Sequence, residues 1–362
     1  VPPRFATAAS LVRRGLHHVA LRGQRLEVAA LAHHPRHRQH RDAFGVRGQR
    51  PFRRGQPGRL DPRGQRAESA AARQAAAQQR IGAGLGVVGV GQGLERGEVA
   101  DGPGIRAQGE GVEVVVSFFE GDPDHYARLG ALLDRIGLGR TAVAAMGDPA
   151  MNLIGDTAAR KAGIAHMRYV IDCAQALGAD RVSGPLHSTL GHFSGFGPTV
   201  EEFARSVSSQ CAIGDHAATR GVTIGLEALN RFECYLVNTM AALSAHVDAI
   251  GHPNIRAMYD TFHANIEEAD PIAAFAANLR NIVHVHLSEN DRGVPGRGNI
   301  PWRETFAAIK ASGYDDWLTI ESFGRGLPDL AAATKVWRDF AESPEAVYRD
   351  GFAHIRKEWD AA

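Results

Sequence analysis

Four side chains able to bind a metal recur at nearly regular intervals in the second half of this chain: Glu227, Asp260, His286 and Glu321. The intervals of 33, 26 and 35 residues each match the length of one strand followed by one helix. Each residue lies near the carboxyl end of a mostly apolar run: VTIGLE (222–227), IRAMYD (255–260), IVHVH (282–286) and WLTIE (317–321). These runs have the length and composition of buried strands.

The types of these side chains indicate which ion could bind. Two glutamates, one aspartate and one histidine form an oxygen-rich set without a thiolate, which suits Mn²⁺, Co²⁺ or Mg²⁺ better than structural zinc. A single carboxylate at such a position could equally be a solvated loop residue or a helix cap. Four at the ends of successive strands favour one shared divalent metal site, so the sequence predicts a single-metal enzyme.

The elements that position these residues predict an α/β fold. Parallel strands alternating with helices close into a (β/α)8 TIM barrel, whose active site lies at the carboxyl ends of the strands. Strands are predicted to begin at residues 112, 141, 181, 222, 255, 282 and 317, and helices are predicted at 122–137, 156–179, 199–219, 239–250, 270–280, 301–312, 329–341 and 344–359. A barrel needs an eighth strand, and only LGVVGV (85–90) is a candidate upstream. The first βα unit is therefore poorly represented or missing.

Two histidines in the predicted strand at 282–286 alternate with apolar residues, so both are expected to face the barrel interior. His286 is nearer the carboxyl end and is assigned to the metal. His284 is predicted to be a packed, hydrogen-bonded barrel residue.

Further polar residues just past the predicted strands could contact a substrate. Polar groups clustered around a metal, without an aromatic-rich wall, suit a small hydroxyl-rich molecule such as a sugar or polyol. One of them lies in a loop rich in glycine and proline, SENDRGVPGRGNIPW (288–302), which is typical of a shaped lid. For each of these residues the alternative is a solvated charge or a packed polar group. The candidates are Glu233, His263, Arg292 and His187.

The first part of the chain differs sharply from the rest in charge. Residues 1–100 contain 18 arginines, no lysine and six acidic residues, a net charge of +12, whereas the remainder carries 23 basic and 34 acidic residues. Residues 1–110 are rich in Arg, Gly and Gln and poor in large apolar side chains, so we predict a disordered segment or one without a selected function. Residues 111–362 have the length of a whole barrel domain.

Composition also bears on compartment and partners. Cys173, Cys211 and Cys234 have no CxxC spacing, which fits a reducing cytoplasm. No apolar run approaches the roughly 18 residues that a membrane span needs, so no membrane partner is expected. The basic segment could be a nucleic-acid tail, but it lacks stacking aromatics and true RGG repeats, and nucleic acid is not an expected partner.

Four long segments carry a family resemblance, and they lie within residues 111–362: GLEALNRFECYLVNT (225–239), MYDTFHANIEEADP (258–271), HVHLSENDRGVPGRGNIPW (284–302) and TIESFG (319–324). They resemble the ketose 3-epimerases, the D-tagatose, D-psicose and L-ribulose 3-epimerase group of the xylose isomerase-like barrels. The resemblance implies C3 epimerisation of free ketoses such as D-tagatose, D-fructose, D-psicose or L-ribulose. It implies deprotonation and reprotonation through an enediolate that a bound divalent ion stabilises.

The resemblance also implies roles for individual residues. The ion, usually manganese, would be held by Glu227, Asp260, His286 and Glu321. Glu227 and Glu321 would form the acid–base pair, and the sugar would be contacted by Glu233, His263 and Arg292, with His187 as a further pocket candidate. Relatives are commonly dimers or tetramers, so a homo-oligomer is expected.

Two alternatives remain open at this point. A related barrel isomerase or dehydratase, acting on hydroxypyruvate or an inosose, would share the metal site. An inactive product that lacks the first barrel strand would share the sequence motifs but not the activity. Residues 184–195 contain no Trp, which some members of the family carry in this loop, so the preferred ketose is open as well.

Overall fold

The computed structural model describes residues 4–9, 17–21, 24–28, 86–91, 111–116, 122–325 and 328–362. Most of residues 1–110, for which the sequence predicts no folded core, lies outside these ranges. The strands within them are β1 (Arg4–Ala9), β2 (His17–Leu21), β3 (Gln24–Val28), β4 (Gly86–Gly91), β5 (Gly111–Val115), β6 (Gly139–Val143), β7 (Arg181–Gly184), β8 (Thr223–Glu227), β9 (Ile255–Asp260), β10 (Ile282–Leu287) and β11 (Trp317–Ser322).

Strands β5 to β11 follow one another around a barrel, each parallel to the next. Because they are parallel, all their carboxyl ends meet at one rim. The registers place Glu227 opposite Met258, and His286 opposite Asp260 and Thr319. The barrel of parallel strands expected from the sequence is therefore confirmed.

Two strands from the first part of the chain lie in the gap between β11 and β5. β1 pairs in parallel with β11, and β4 pairs antiparallel with both β1 and β5, which closes the barrel. The segment 85–90 was the sequence candidate for the first strand. It does form a strand there, but one that runs opposite to the others, and the place beside β11 is taken by β1. A hairpin, β2–β3, forms a separate sheet.

Helices alternate with the barrel strands and cover them. In the described ranges they are α1 (Pro123–Ile136), α2 (Thr157–Leu177), α3 (Val200–Arg220), α4 (Met240–Ile250), α5 (Thr261–Glu267), α6 (Pro271–Asn278), α7 (Trp302–Ser312), α8 (Pro328–Thr334), α9 (Pro344–Ala346) and α10 (Phe352–Ala361), with 3₁₀ turns at Pro149–Met151 and Leu279–Asn281 and a π turn at Val347–Gly351.

Local sequence explains where the long helices begin and end. Helix α3 starts with a capping box, in which Thr199 and Glu202 bond each other's backbone amides, and ends at Gly221 in the left-handed conformation. Helices α1 and α2 likewise begin at Asp122 and Asp156, which accept backbone N–H bonds. These caps are readable in the sequence, and the predicted helices there agree with the structure to within two residues.

One predicted helix, 329–341, is too long. The structure ends α8 at Thr334, because Lys335 adopts a positive φ of 60° and the amide of Val336 bonds back to the carbonyl of Ala331. This is a left-handed helix ending without glycine, which the amphipathic pattern does not show. Conversely, the sequence pattern did not predict the short helix α5, which follows β9 in the structure.

The buried part of the protein comprises an apolar core and a polar barrel lumen. Leu186, Ile224 and Phe306, the last on helix α7, are fully buried in the apolar core. The lumen instead contains buried polar groups, which must find partners inside the protein: Glu113, Thr141, His284, His286 and Thr319. No helix in the described residues is long and apolar enough to cross a membrane.

Candidate metal centre

The four metal-ligand candidates come together at the carboxyl rim of the barrel. Glu227, Asp260, His286 and Glu321 lie on β8, β9, β10 and β11. Each offers an oxygen or nitrogen atom, and these atoms all lie within 4.8 Å of one another. All four side chains are buried. Regular spacing along the chain has thus become one compact cluster of ligands.

Two atoms of the cluster fit a divalent ion particularly well, because they have no hydrogen-bond partner. His286 Nδ1 and Glu227 Oε1 are buried and accept no hydrogen bond. A buried polar atom without a partner costs free energy, of order 1–3 kcal/mol. A cation shared by the imidazole and the carboxylates would satisfy both atoms, so the residues present fit the metal that the sequence predicts.

The carboxylates of the cluster are not electrically equivalent. Burial, together with the negative charge of Asp260, raises the pKa of Glu227 to about 8. Burial also acts on Asp260, but the nearby guanidinium of Arg292 outweighs it and lowers the pKa of that carboxyl below its usual value. Near neutral pH, one carboxyl of the cluster therefore holds a proton while its neighbour is ionised.

Arg292 reaches into the cluster from the loop after β10. Its Nη1 donates to Asp260 Oδ2 at 2.9 Å and also to Glu321 Oε2. The guanidinium lies between the rings of Phe262 and Phe323, 4.1 and 4.9 Å from their centroids. Arg292 has a φ of 63°, unusual for a residue other than glycine, so its backbone is held in a strained conformation at the rim.

His263 has a hydrogen-bond donor next to each of its ring nitrogens. Nδ1 accepts the backbone N–H of Asn230 at 3.0 Å, and the guanidinium Nη2 of Arg292 lies 2.8 Å from Nε2. Burial, followed by the charge of Arg292, lowers the pKa of His263 to about 3, which keeps the ring neutral. Nε2 also lies 3.5 Å from Glu227 Oε1, so the ring borders the cluster.

Glu233 and His187 lie beside the cluster rather than in it. Glu233 Oε1 accepts from the side-chain amide of Asn230 at 2.8 Å, so Glu233 and His263 share one organising residue. His187 is buried, and its Nε2 lies 3.0 Å from the backbone oxygen of Glu227 while Ser188 Oγ lies 3.0 Å from Nδ1. The ring of His187 thus supports the end of β8, and the substrate contact predicted for it stays a prediction.

Sequence reasoning missed Glu113. This residue is fully buried on β5 and contacts both histidines of β10: Oε1 lies 2.9 Å from His284 Nε2 and Oε2 lies 2.8 Å from His286 Nε2. Burial opposes its ionisation, but the two histidines outweigh burial and hold the pKa of Glu113 well below its usual range. A lone acid inside the apolar run VEVVVSF (112–118) was the available signal.

Ser288 and Glu289, directly after β10, were also missed. Ser288 Oγ lies 3.3 Å from Asp260 Oδ2 and 3.4 Å from Glu321 Oε2, so it bridges two of the ligand carboxylates. Glu289 is fully buried and accepts hydrogen bonds from the loop that carries Arg292. In the sequence, both look like ordinary polar loop residues.

The fold agrees with a comparison against known protein families. Residues 106–358 match the family described as the xylose isomerase-like TIM barrel. The match covers well over half of the chain, and the chain belongs to this family.

Within the family, similar proteins are ketose 3-epimerases. The chain is 33% identical over 194 residues to a probable ketose 3-epimerase of Synechocystis sp.. The aligned region covers 54% of this chain and 68% of the relative. It is 36% identical over 203 residues to the L-ribulose 3-epimerase of Mesorhizobium japonicum, covering 55% of this chain and 68% of the relative. These relatives are isomerases that epimerise carbohydrates, as the resemblance implied.

Solved structures lead to the same group. A structure of L-ribulose 3-epimerase matches with a TM-score of 0.65 and 30% identity, over 69% of this chain and 84% of that one. A D-allulose 3-epimerase from Methylomonas sp., solved in complex with D-allulose, matches with a TM-score of 0.65 and 28% identity, over 69% and 86% of the two chains.

Proposed function

We propose that this protein is a divalent-metal-dependent ketose 3-epimerase, and that it inverts C3 of a free ketose such as D-fructose, D-tagatose or L-ribulose. The observation that carries the proposal is the buried cluster of Glu227, Asp260, His286 and Glu321 at the barrel rim. The ketose 3-epimerase relatives support the reaction type. Manganese is the expected ion, with Co²⁺ or Mg²⁺ as substitutes.

Epimerisation at C3 needs two groups that handle a proton on opposite faces of one carbon. A bound divalent ion would polarise the ketone and so acidify the proton on C3. One of Glu227 and Glu321 then removes that proton as a carboxylate, and the other, as a carboxylic acid, returns a proton from the opposite face. Their surroundings differ, because Arg292 and Ser288 donate to Glu321 while Glu227 Oε1 accepts no hydrogen bond.

Other side chains are suited to orienting the sugar. The guanidinium of Arg292 points into the site and can donate to sugar oxygens, and the ring of His263 lies beside it. Glu233 offers a carboxylate on the same side, fixed through Asn230. Polar side chains of this kind around the metal cluster match a substrate that carries a hydroxyl or carbonyl oxygen on every carbon.

The decisive experiment follows the hydrogen on C3. The protein is stripped of metal, reloaded with Mn²⁺ and incubated in D₂O with D-fructose, D-tagatose or L-ribulose. NMR should then show the C3 epimer of at least one ketose, with deuterium at C3 in the product. The glutamate variant Glu321→Gln serves as the matched control and should incorporate no deuterium.

The same experiment separates the neighbouring reaction classes. An aldose–ketose isomerase would form an aldose, with exchange at C1 or C2, and a dehydratase would release a dehydrated product. A folded, metal-loaded sample that forms no C3 epimer and places no deuterium at C3 would refute the proposed function.

A further inference from the structure

The buried carboxylate of Glu113 reaches the metal cluster from the opposite side of the barrel. Glu113 lies on β5, 173 residues before His286, yet its Oε2 is 2.8 Å from His286 Nε2. Its other oxygen, Oε1, accepts from Thr141 Oγ1 on β6 at 2.9 Å and lies 2.9 Å from His284 Nε2. One side chain therefore ties β5 and β6 to the strand that carries the histidine ligand.

These contacts determine which ring nitrogen of His286 carries a proton and which one offers a lone pair to the cluster. An ionised carboxylate only accepts hydrogen bonds, so the partner nitrogen, Nε2, carries a proton. In a neutral imidazole, the lone pair is then on Nδ1. This atom lies 3.3 Å from Glu321 Oε1 and 3.8 Å from Asp260 Oδ2, inside the ligand cluster, and accepts no hydrogen bond.

We propose that Glu113 is a positioning residue for the metal: it fixes the tautomer and the ring orientation of His286, and it links strand β5 to metal binding. The inference rests on the proposed function only in assuming that the cluster binds a divalent ion. Histidines that ligate metals commonly donate their second N–H to a carboxylate, and removing that carboxylate typically weakens metal binding about 10–100-fold.

A second metal site at Glu113, His284 and His286 is the competing interpretation, because their potential ligand atoms also lie close together. The hydrogen bonds argue against it. Both Nε2 atoms lie at hydrogen-bond distance from Glu113, and Thr141 donates to the same carboxylate. A metal there would need the lone pairs of nitrogens that already carry protons. The binding stoichiometry should therefore be one ion per chain.

The position of Glu113 gives the link a structural consequence. β5 is the strand at which the continuous parallel series begins, with β6 on one side and the antiparallel β4 on the other. If the ion holds His286, and His286 holds Glu113, then binding of the ion also stabilises β5. Such coupling is reciprocal. If the ion stabilises the contact between Glu113 and His286, then loss of this contact must lower the affinity for the ion by the same free energy.

The test uses the full chain with Glu113→Gln, which keeps the shape of the side chain and removes its charge. Isothermal titration should show Mn²⁺ binding at one site with a dissociation constant 10–100-fold higher than in the wild type. In hydrogen exchange, Mn²⁺ should slow the amides of residues 111–116 in the wild type and have a clearly smaller effect in the variant. Thr319→Val is the matched control: it removes a hydroxyl that lies 3.2 Å from His284 Nε2, outside the ligand cluster, and Mn²⁺ affinity should stay within about threefold.

Several outcomes would overturn the inference. Wild-type Mn²⁺ affinity in E113Q would do so, as would two ions per chain with only one lost in E113Q. A lower metal-free melting temperature with an unchanged dissociation constant would show a purely structural residue. Should E113Q fail to fold, Glu113→Asp gives the same test, because the shorter side chain cannot reach both histidines. If the wild type itself binds no Mn²⁺, the proposed function fails instead.

Discussion

At the scale of single residues, Glu227 and Glu321 are chemically identical side chains in different surroundings. Glu227 has a buried oxygen without a hydrogen-bond partner, and its pKa is raised. Glu321 instead accepts from Arg292 and lies within reach of Ser288 Oγ. Two carboxyls in such different surroundings suit a reaction that needs one base and one acid.

The variant Glu321→Gln should therefore lose turnover while the barrel stays folded. The amide has the same shape as the carboxylate but can neither remove nor deliver the proton, and general acid–base groups typically contribute about 10²–10⁴-fold. Deuterium incorporation at C3 gives the rate, and circular dichroism verifies the fold. Ser288→Ala is the control: it removes a hydroxyl 3.4 Å from the same carboxylate and should cost less than about tenfold. Turnover in E321Q at the wild-type rate would remove Glu321 from the acid–base pair.

The raised pKa of Glu227 predicts how metal binding depends on pH. The ion binds the carboxylate, so below about pH 8 a proton must leave Glu227 first. Mn²⁺ affinity should rise about tenfold per pH unit between about pH 6 and 8 and then level off. Without metal the sign is opposite: the folded state holds a proton that the unfolded state has lost, so stability falls as pH rises from about 4.5 to about 8.

Titration calorimetry with Mn²⁺ at pH 6, 7 and 8 measures this dependence. Glu227→Gln is the control: its weaker binding should depend less steeply on pH, because only His286, whose pKa the nearby carboxylates raise against the effect of burial, still has to lose a proton. An affinity that is the same at pH 6 and pH 8 in the wild type would contradict the assignment of the proton to Glu227.

At the scale of elements, the loop after β10 is organised around one buried carboxylate. Glu289 accepts four hydrogen bonds: Oε1 from the amides of Asn290 and Ile300, and Oε2 from the amide of Gly296 and the indole of Trp302. The same loop carries Arg292, whose carbonyl accepts from the backbone of Phe323 after β11. A loop held from within and from its neighbour can place Arg292 over the site.

Glu289→Gln should destabilise the protein and misplace Arg292. The NH₂ group of the glutamine would replace an oxygen that accepts from two N–H groups, so its own two N–H groups would face two other donors. Each unsatisfied buried group costs about 1–3 kcal/mol. Urea unfolding should show a loss of about 2–4 kcal/mol, and KM for the ketose should rise. Asp291→Asn is the matched control in the same loop. Asp291 Oδ1 accepts from the backbone amide of Gly293 at 2.9 Å, and the side-chain oxygen of asparagine can do the same, so stability should change little. Equal unfolding midpoints for E289Q and the wild type would contradict this role of Glu289.

The elements also show how far the sequence could be interpreted. The strands that end at Glu227 and Asp260 were predictable, because apolar residues fill each run and a carboxylate closes it. Glu113 was missed because its partners are long-range: only the closed barrel brings His284 and His286 to it. The direction of β4 was equally hidden, since a glycine-rich apolar run fits either orientation and only pairing with its neighbours decides it.

At the scale of the whole molecule, the barrel brings distant parts of the chain together at one site. The four candidate ligands come from four successive strands, and Glu113 adds a fifth strand behind them. None of these side chains would be near another in the unfolded chain. The site therefore exists only when the barrel is closed, and an ion bound there favours the folded state over the unfolded one.

Metal removal should accordingly lower the stability of the whole protein. With free Mn²⁺ at about 100 times its dissociation constant, binding adds about 2.7 kcal/mol to the free energy of unfolding. For a domain of this size, that is a rise of roughly 5–10 °C in melting temperature, and differential scanning calorimetry with and without EDTA measures it. Asp260→Asn should abolish the rise yet keep the fold, because an amide oxygen can still cap α5 by accepting from Phe262, as Asp260 does at 2.7 Å. An equal Mn²⁺ effect on wild type and D260N would mean that the ion binds somewhere other than the barrel rim.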